Sequence, residues 1–391
     1  MKINHSRYAK SLYTPLLTIA LLTATVTAGH AAELQHKTQQ QVLQHLDQQQ
    51  SELKVVSPEQ KLSFAELMEQ LKDKRVVFVG EKHDRYDHHL NQLAILRAMH
   101  QQNPNIAVGV EWFQQSFQSV VDQYLAGKIS ETELLLQTEY YQRWRYDYRM
   151  LRPIMEFAKE HQLSVIALNA QAEIASAVSQ EGLTGLSEKQ RKQIPDTIHP
   201  PPEKYKTYLD EVFKEHMGGH GDAEHFIQVQ RIWDETMAMN TVKYLTAHPE
   251  HHMVVFAGSG HLGRGAIPND VARTIPADQL STVHSVKAEA IEPDSFDYFI
   301  LSNEQTLSPT GKLGAWLDDK TGKVSILKLA EDGAAGEAGL KKGDLLLEMN
   351  GQPIDSIADL LIMLTKHQPG DEVELLTERD GKPLKHVFPL K

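Results

Sequence analysis

The sequence predicts an α/β protein: a mainly parallel sheet flanked by helices, followed by a small β-rich domain. Three observations predict it. Four short, almost wholly apolar runs, VVFV (76–79), IAVGV (106–110), SVIAL (164–168) and MVVFA (253–257), read as strands buried on both faces. Segments of helical periodicity separate them, which is the pattern of βαβ units. From about residue 306 the pattern changes to strand-like runs joined by Asn-Gly and Asp-Gly turns.

The chain has 391 residues, which suggests two or three domains, and 41% of them are hydrophobic, enough for a sizeable core. A net charge of −12 excludes a general nucleic-acid binder, which needs a basic face. Histidine is abundant, at 20 residues, and is both a common metal ligand and a group that titrates near neutrality. At the start, Lys2, Arg7 and Lys10 precede the apolar stretch LLTIALLTATVTA (16–28), and small residues surround Ala31 and Ala32. That is the layout of an export signal over residues 1–31, because the apolar run is shorter than the roughly 20 residues of a membrane span. The chain contains no cysteine, so disulfides, thiolate ligands and a lipid-modified cysteine are all excluded. A soluble periplasmic protein is the expectation.

The first folded domain is expected over residues 32–290. Its strands alternate with helices marked by three apolar stripes: Leu90, Leu93, Ala94 and Met99; Phe117, Val120, Val121 and Tyr124; and Ile227, Ile232, Met237 and Val242. Residues 181–222 hold four prolines and a Gly-rich stretch, and predict a helical excursion or lid between strands, ending in an N-cap at Asp222. Residues 283–305 read as a connector. The second domain, 306–391, holds strand-like runs at 324–329, 344–350 and 372–378, with an amphipathic helix over 356–367.

In a parallel sheet every strand points its carboxyl end to one edge, where ligands bind. The polar residues there are Glu81 and His83 after the first run, Glu111 after the second, Asn169 after the third and His261 in GSGHLGRG (258–265) after the fourth. Singly, each is ordinary loop composition; together, two carboxylates and two imidazoles can hold a metal or act as acid and base. His89 shares a helix face with Leu93 and Leu96, and so reads as a packed residue. Gln230 and Asp234 form a polar pair among apolar neighbours, fit either to anchor the histidine loop or to face solvent. The stretch QRWRYDYRMLRP (142–153) mixes arginines suited to carboxylates with flat aromatic rings, and a helix with solvated arginines explains it equally well.

Taken in order over roughly residues 60–275, GEKHDRYDHH (80–89), GVEWF (109–113), the aromatic patch, VIALNA (165–170), QVQRIWDETMA (228–238) and FAGSGHLGRGAIP (256–268) resemble the ChaN-like haem-binding family, grouped with Tiki and erythromycin-esterase-like proteins. The resemblance implies an α/β fold, non-covalent haem bound in iron acquisition, and a homodimer around the cofactor. It offers His83, His261, Tyr146 and Tyr148 as candidate axial ligands, with Arg143 and Arg149 for the propionates. Related branches imply instead a hydrolase site in which Glu81, His83, Glu111 and His261 are catalytic and a divalent metal sits on His83 and His261. Two departures stand out: the lipoprotein cysteine of many members is missing, and Asn269 and Asp270 stand where a basic residue is expected.

The C-terminal segment resembles a PDZ domain of the type associated with bacterial proteases. Leu313, Gly314, Ala315 and Trp316 occupy the carboxylate-binding loop, ahead of EDGAAGEAGLKKGDLLLEMNGQPI (331–354). This implies capture of a peptide or protein C-terminus by strand addition, with Gly314 leaving room for its approach and Trp316 narrowing the groove. Three functions follow: haem handling with partner recruitment, a metal-dependent hydrolase, or a non-catalytic adaptor working through the PDZ groove alone.

Overall fold

A computed structural model describes residues 41, 42, 44, 53–217, 221–263, 265–292 and 294–391. The expected export signal, 1–31, lies outside the described residues. Every element below belongs to the compact unit Ser51–Lys391.

The four apolar runs are strands: β3 (Val76–Glu81), β4 (Ile106–Gln114), β5 (Val165–Asn169) and β6 (His252–Gly258), after the short hairpin β1 (Lys54–Val56) and β2 (Lys61–Ser63). With β7 (Leu280–Val286) and β8 (Tyr298–Leu301) they form an eight-stranded sheet in the order β2-β1-β8-β7-β3-β6-β4-β5. Every pairing from β8 to β5 is parallel, and only β1 and β2 join antiparallel. β7 and β8 correct the expectation that 283–305 is a connector and that the domain ends at 290. β7 is not an apolar run because its buried polar residues are satisfied by neighbours, and the apolar run of β8 is only four residues long. Asn91 donates to Ser285 at 3.1 Å and to Ser302 at 3.2 Å, and the Thr282 N–H donates to Asp297 at 2.9 Å.

Helix α1 (Tyr86–Gln102) follows β3 and is buried on most sides. Helix α2 (Ala223–Ala247) starts at Asp222, whose side chain accepts the His225 N–H, as the N-cap position predicts. It lays Met237, Ala238 and Leu245 against Phe78, Met253 and Val255 of the sheet in one core cluster. Each such large apolar side chain contributes about 1.5–3 kcal/mol by leaving water.

The second domain is a six-stranded antiparallel sheet in the order β14-β13-β11-β10-β9, with β12 paired to β11. The strands are β9 (Ala315–Asp318), β10 (Ser325–Leu329), β11 (Leu345–Met349), β12 (Gln352–Pro353), β13 (Glu372–Arg379) and β14 (Lys382–Pro389), with helix α3 (Ile357–Leu364) capped by a Ser356–Asp359 box. β9 is an edge strand. Gly314 has φ +71°, and a Cβ there would lie 2.4 Å from the Gly333 Cα. Its glycine is therefore required by loop packing.

Candidate functional site

Strand register builds the site. Glu81, the last residue of β3, pairs with Gly258 of β6, and β4 runs on the other side of β6, where Val110 pairs with Phe256. Glu81 and Glu111 thus flank a strand end that carries no side chain. A Cβ on Gly258 would come within 2.7 Å of the His83 ring and 3.6 Å of Glu111 Oε2. The Gly258 N–H instead donates to Glu111 Oε2 at 2.7 Å. The four residues expected at one rim do meet there: Glu81, His83 and Glu111 each offer a ligand atom, all within 4.8 Å, and His261 Nε2 lies 3.6 Å from Glu111 Oε1. Asn169 joins them, donating to the Glu111 carbonyl at 3.1 Å.

Each imidazole is held by a buried carboxylate. His83 Nδ1 donates to Glu81 Oε1 at 2.6 Å, and His261 Nδ1 donates to Asp234 Oδ1 at 2.7 Å. Burial opposes the charge on His83, but the Glu81 hydrogen bond and the Glu81 and Glu111 charges overcome it and push its pKa up to about 9. His261 is raised in the same way, burial being outweighed by Glu111 and Asp234. Burial likewise opposes ionisation of Glu81, yet His89 and His83 hold its carboxyl below the usual range.

A stability prediction follows from the raised pKa of His83. Its protonation stabilises the fold by about 3 kcal/mol, fully present below pH 6.5 and lost as pH rises through 9. Glu81→Gln removes the charge that raises it. In urea unfolding, the difference between wild type and Glu81→Gln is therefore expected to be largest at pH 6 and to shrink by pH 9; a difference independent of pH would contradict the pairing.

Asp234, one of the two polar residues singled out on α2, proves to be the anchor of the histidine loop. It also accepts from Tyr205 at 2.9 Å and from Arg231 at 3.3 Å. Arg231 itself is buried and donates to Glu235 and Asp270 at 2.9 Å each. Asp270 thus stands in place of an expected basic residue because it balances a guanidinium. His89 is packed as expected, bonding Gln92 at 2.9 Å and the His83 carbonyl at 3.2 Å.

The aromatic segment divides. Trp144 and Tyr146 stand beside His83, at ring-centroid separations of 4.7 and 5.0 Å, and Tyr146 is 36% exposed. Trp144 was not among the expected site residues, although the W-x-Y spacing carries it. Tyr148 is a correction: it is fully buried against Tyr140, and burial pushes its phenol far above the usual range. Arg143 and Arg149 are corrections too. Arg143 is bound to Glu139, Glu173 and Gln114, and Arg149 to Asp147 and the Ser308 carbonyl. Both guanidiniums are paired within the chain rather than turned to the His83 rim as free charges.

The loop Leu313–Trp316 and α3 line a groove of about 500 Å³, with Trp316 54% exposed and the Lys328 ammonium 5.0 Å over its ring.

The fold and the site define a class: an α/β domain with a carboxylate-braced imidazole rim, joined to a peptide-groove domain. Residues 67–271, just over half of the chain, match the family described as haem-binding uptake, Tiki superfamily, ChaN, and the chain belongs to that family. Residues 311–387 match the PDZ domain family. Among solved structures, "Cofacial heme binding to ChaN of Campylobacter jejuni" is similar in fold, with a TM-score of 0.53, 16% identity, 64% of this chain and 97% of that chain covered. Among curated proteins, the chain is 32% identical over 132 residues to the periplasmic pH-dependent serine endoprotease DegQ of Escherichia coli (strain K12), covering 34% of this chain and 27% of DegQ. It is 41% identical over 64 residues to a probable periplasmic serine endoprotease DegP-like of Pseudomonas savastanoi pv. phaseolicola, covering 16% of this chain and 13% of that protein. The chain thus spans about a quarter or less of the length of these curated relatives.

Proposed function

We propose that the protein binds haem non-covalently at the His83 rim and works in haem or iron uptake in the periplasm, while its PDZ domain recruits a partner by that partner's C-terminus. The observation that carries this is the His83 ring itself. Its Nδ1 is tied to the buried Glu81 at 2.6 Å, which orients the ring and leaves Nε2 as the ligating nitrogen. Trp144 and Tyr146 beside it supply the flat, partly exposed aromatic surface that a porphyrin face requires. The residues fit the group. When bound, haem would bring an iron for that nitrogen to ligate and two anionic propionates to be matched by cations. Lys82 and Lys204, on the rim of an adjoining cavity of about 320 Å³, provide positive charge in place of Arg143 and Arg149.

Glu81, His83 and Glu111 are also a donor set for a divalent cation, as the hydrolase reading requires. Family membership favours haem. The Campylobacter ChaN structure binds haem cofacially; carried over, that arrangement has two copies meeting at this rim and burying Tyr146. Export rests on residues 1–31, and among the described residues no helix is long and apolar enough to cross a membrane.

Titration with haemin, followed in the Soret band, tests the reading. Stoichiometric saturation with a shifted band is expected, with dimer formation on sedimentation. A spectrum that stays that of free haemin would overturn it, and a tightly held divalent cation with turnover lost in Glu81→Gln would favour the hydrolase.

A further inference from the structure

The segment Trp144–Asp147 has two faces. Trp144 and Tyr146 stand against His83. Arg145 and Asp147, the residues that alternate with them, line the PDZ groove together with Tyr141. The groove is therefore not built by the PDZ domain alone. On one side lie the loop and the edge strand β9, on another the exposed Leu361 of α3, and the third wall comes from the haem-binding domain. Its volume, about 500 Å³, suits a short extended ligand. An edge strand beside a helix offers unpaired backbone groups to an added strand.

The charge of this groove selects the occupant. Asp147 is neutralised by Arg149, whose Nη2 donates to it at 2.6 Å. Arg145 is exposed, and the one hydrogen bond of its side chain among the described residues is a marginal 3.5 Å contact from Nε to the Gln142 carbonyl. Lys312 lines the same groove. Arg145 thus makes the third wall positive, and Lys312 adds a charge from the PDZ side, in a chain of net charge −12. Arg145 also holds φ +72°, a left-handed conformation that a non-glycine residue adopts at a cost. The turn is pinned by the Tyr140 carbonyl, which accepts from the Trp144 N–H at 2.7 Å and the Arg145 N–H at 3.3 Å. That turn sends neighbouring side chains to opposite sites.

We infer that the groove takes the free C-terminus of a partner protein with an apolar last residue and acidic residues just upstream, that Arg145 of the haem-binding domain reads the acidic residues, and that occupancy of the groove tightens haem binding at His83 through the shared segment Trp144–Asp147. The linkage rests on the haem reading above; the composite groove does not. A peptide that holds Arg145 fixes the backbone that presents Trp144 and Tyr146, so the second ligand meets a segment already ordered. The effect is reciprocal by thermodynamic necessity.

The probe is a fluorescein-labelled peptide ending in valine, with two glutamates just upstream, titrated by anisotropy against the full chain. Arg145→Glu is expected to weaken it about tenfold or more, while Arg145→Lys, which keeps the charge and the turn, largely restores binding. Saturating haemin is expected to tighten the peptide by about fivefold or more. Unchanged affinity in Arg145→Glu, or no binding by wild type, would overturn the composite groove. Equal binding of the C-terminally amidated peptide would show that an internal segment fills the groove and would overturn the assigned occupant. A Soret-confirmed haem complex with unaltered peptide affinity would overturn the linkage alone. If haemin itself fails to bind, the haem reading and the linkage fall together, and the Arg145 pair still decides the groove.

Discussion

His83→Ala is expected to weaken haem binding by roughly a hundredfold or more, the largest loss of any single substitution at the rim. Removing a carboxylate that orients a metal-bound histidine typically costs about 10–100-fold, so Glu81→Gln defines the lesser effect and loss of the ring itself the greater. Tyr146→Phe keeps the aromatic surface beside His83 and is expected to change affinity little. The pH dependence has a definite sign. His83 holds its proton until about pH 9, so ligation near neutrality must displace that proton. Wild-type affinity is therefore expected to rise with pH up to about 9, and the deficit of His83→Ala to widen along with it. Equal Soret titrations of wild type and His83→Ala would remove His83 from the haem site.

Arg231→Met is expected to destabilise the first domain by about 3–5 kcal/mol, the penalty typical when one partner of a buried ion cluster is removed. The guanidinium is 1% exposed and serves three carboxylates, Asp234, Glu235 and Asp270, besides donating to the His199 carbonyl at 3.0 Å. Even with Arg231 present, burial pushes Asp270 up to about 6. Arg273 reaches Glu235 and Asp270 as well, at 3.2 and 3.0 Å, but it is partly exposed. Arg273→Ala should therefore cost about 1 kcal/mol or less. Urea unfolding of the two variants separates a buried cluster from a surface pair. Similar small losses would mean that solvent reaches the Asp234 network, and the case for a rigid His261 would fail with it.

The strands that carry the site were legible because a parallel strand buried on both faces is apolar along most of its length, so the first polar groups beyond each apolar run mark the carboxyl edge. Glu81 and Glu111 stand directly after their runs, at the end of β3 and within β4, and His261 follows β6 by three residues. β7 was not legible because its buried Ser285 and Thr282 are acceptable only where Asn91 and Asp297 reach them, and β8 because its apolar run, Tyr298–Leu301, is only four residues long. Asp234 was visible as a polar residue on an apolar helix face, though not its choice of His261. The aromatic segment was misjudged for a different reason. A left-handed turn at Arg145 reassigns neighbouring side chains to different sites, so composition alone could not show that Tyr146 meets His83 while Tyr148 is entombed, or that Arg143 and Arg149 are already paired.

Anomalous diffraction at the iron edge, from crystals of the haemin complex, locates the iron. Iron bonded to His83 Nε2 is expected, with Nδ1 still on Glu81 and Trp144 and Tyr146 beside the porphyrin. Iron located elsewhere, with His83 bonded only to Glu81 and the Glu111 rim empty, would contradict that ligation.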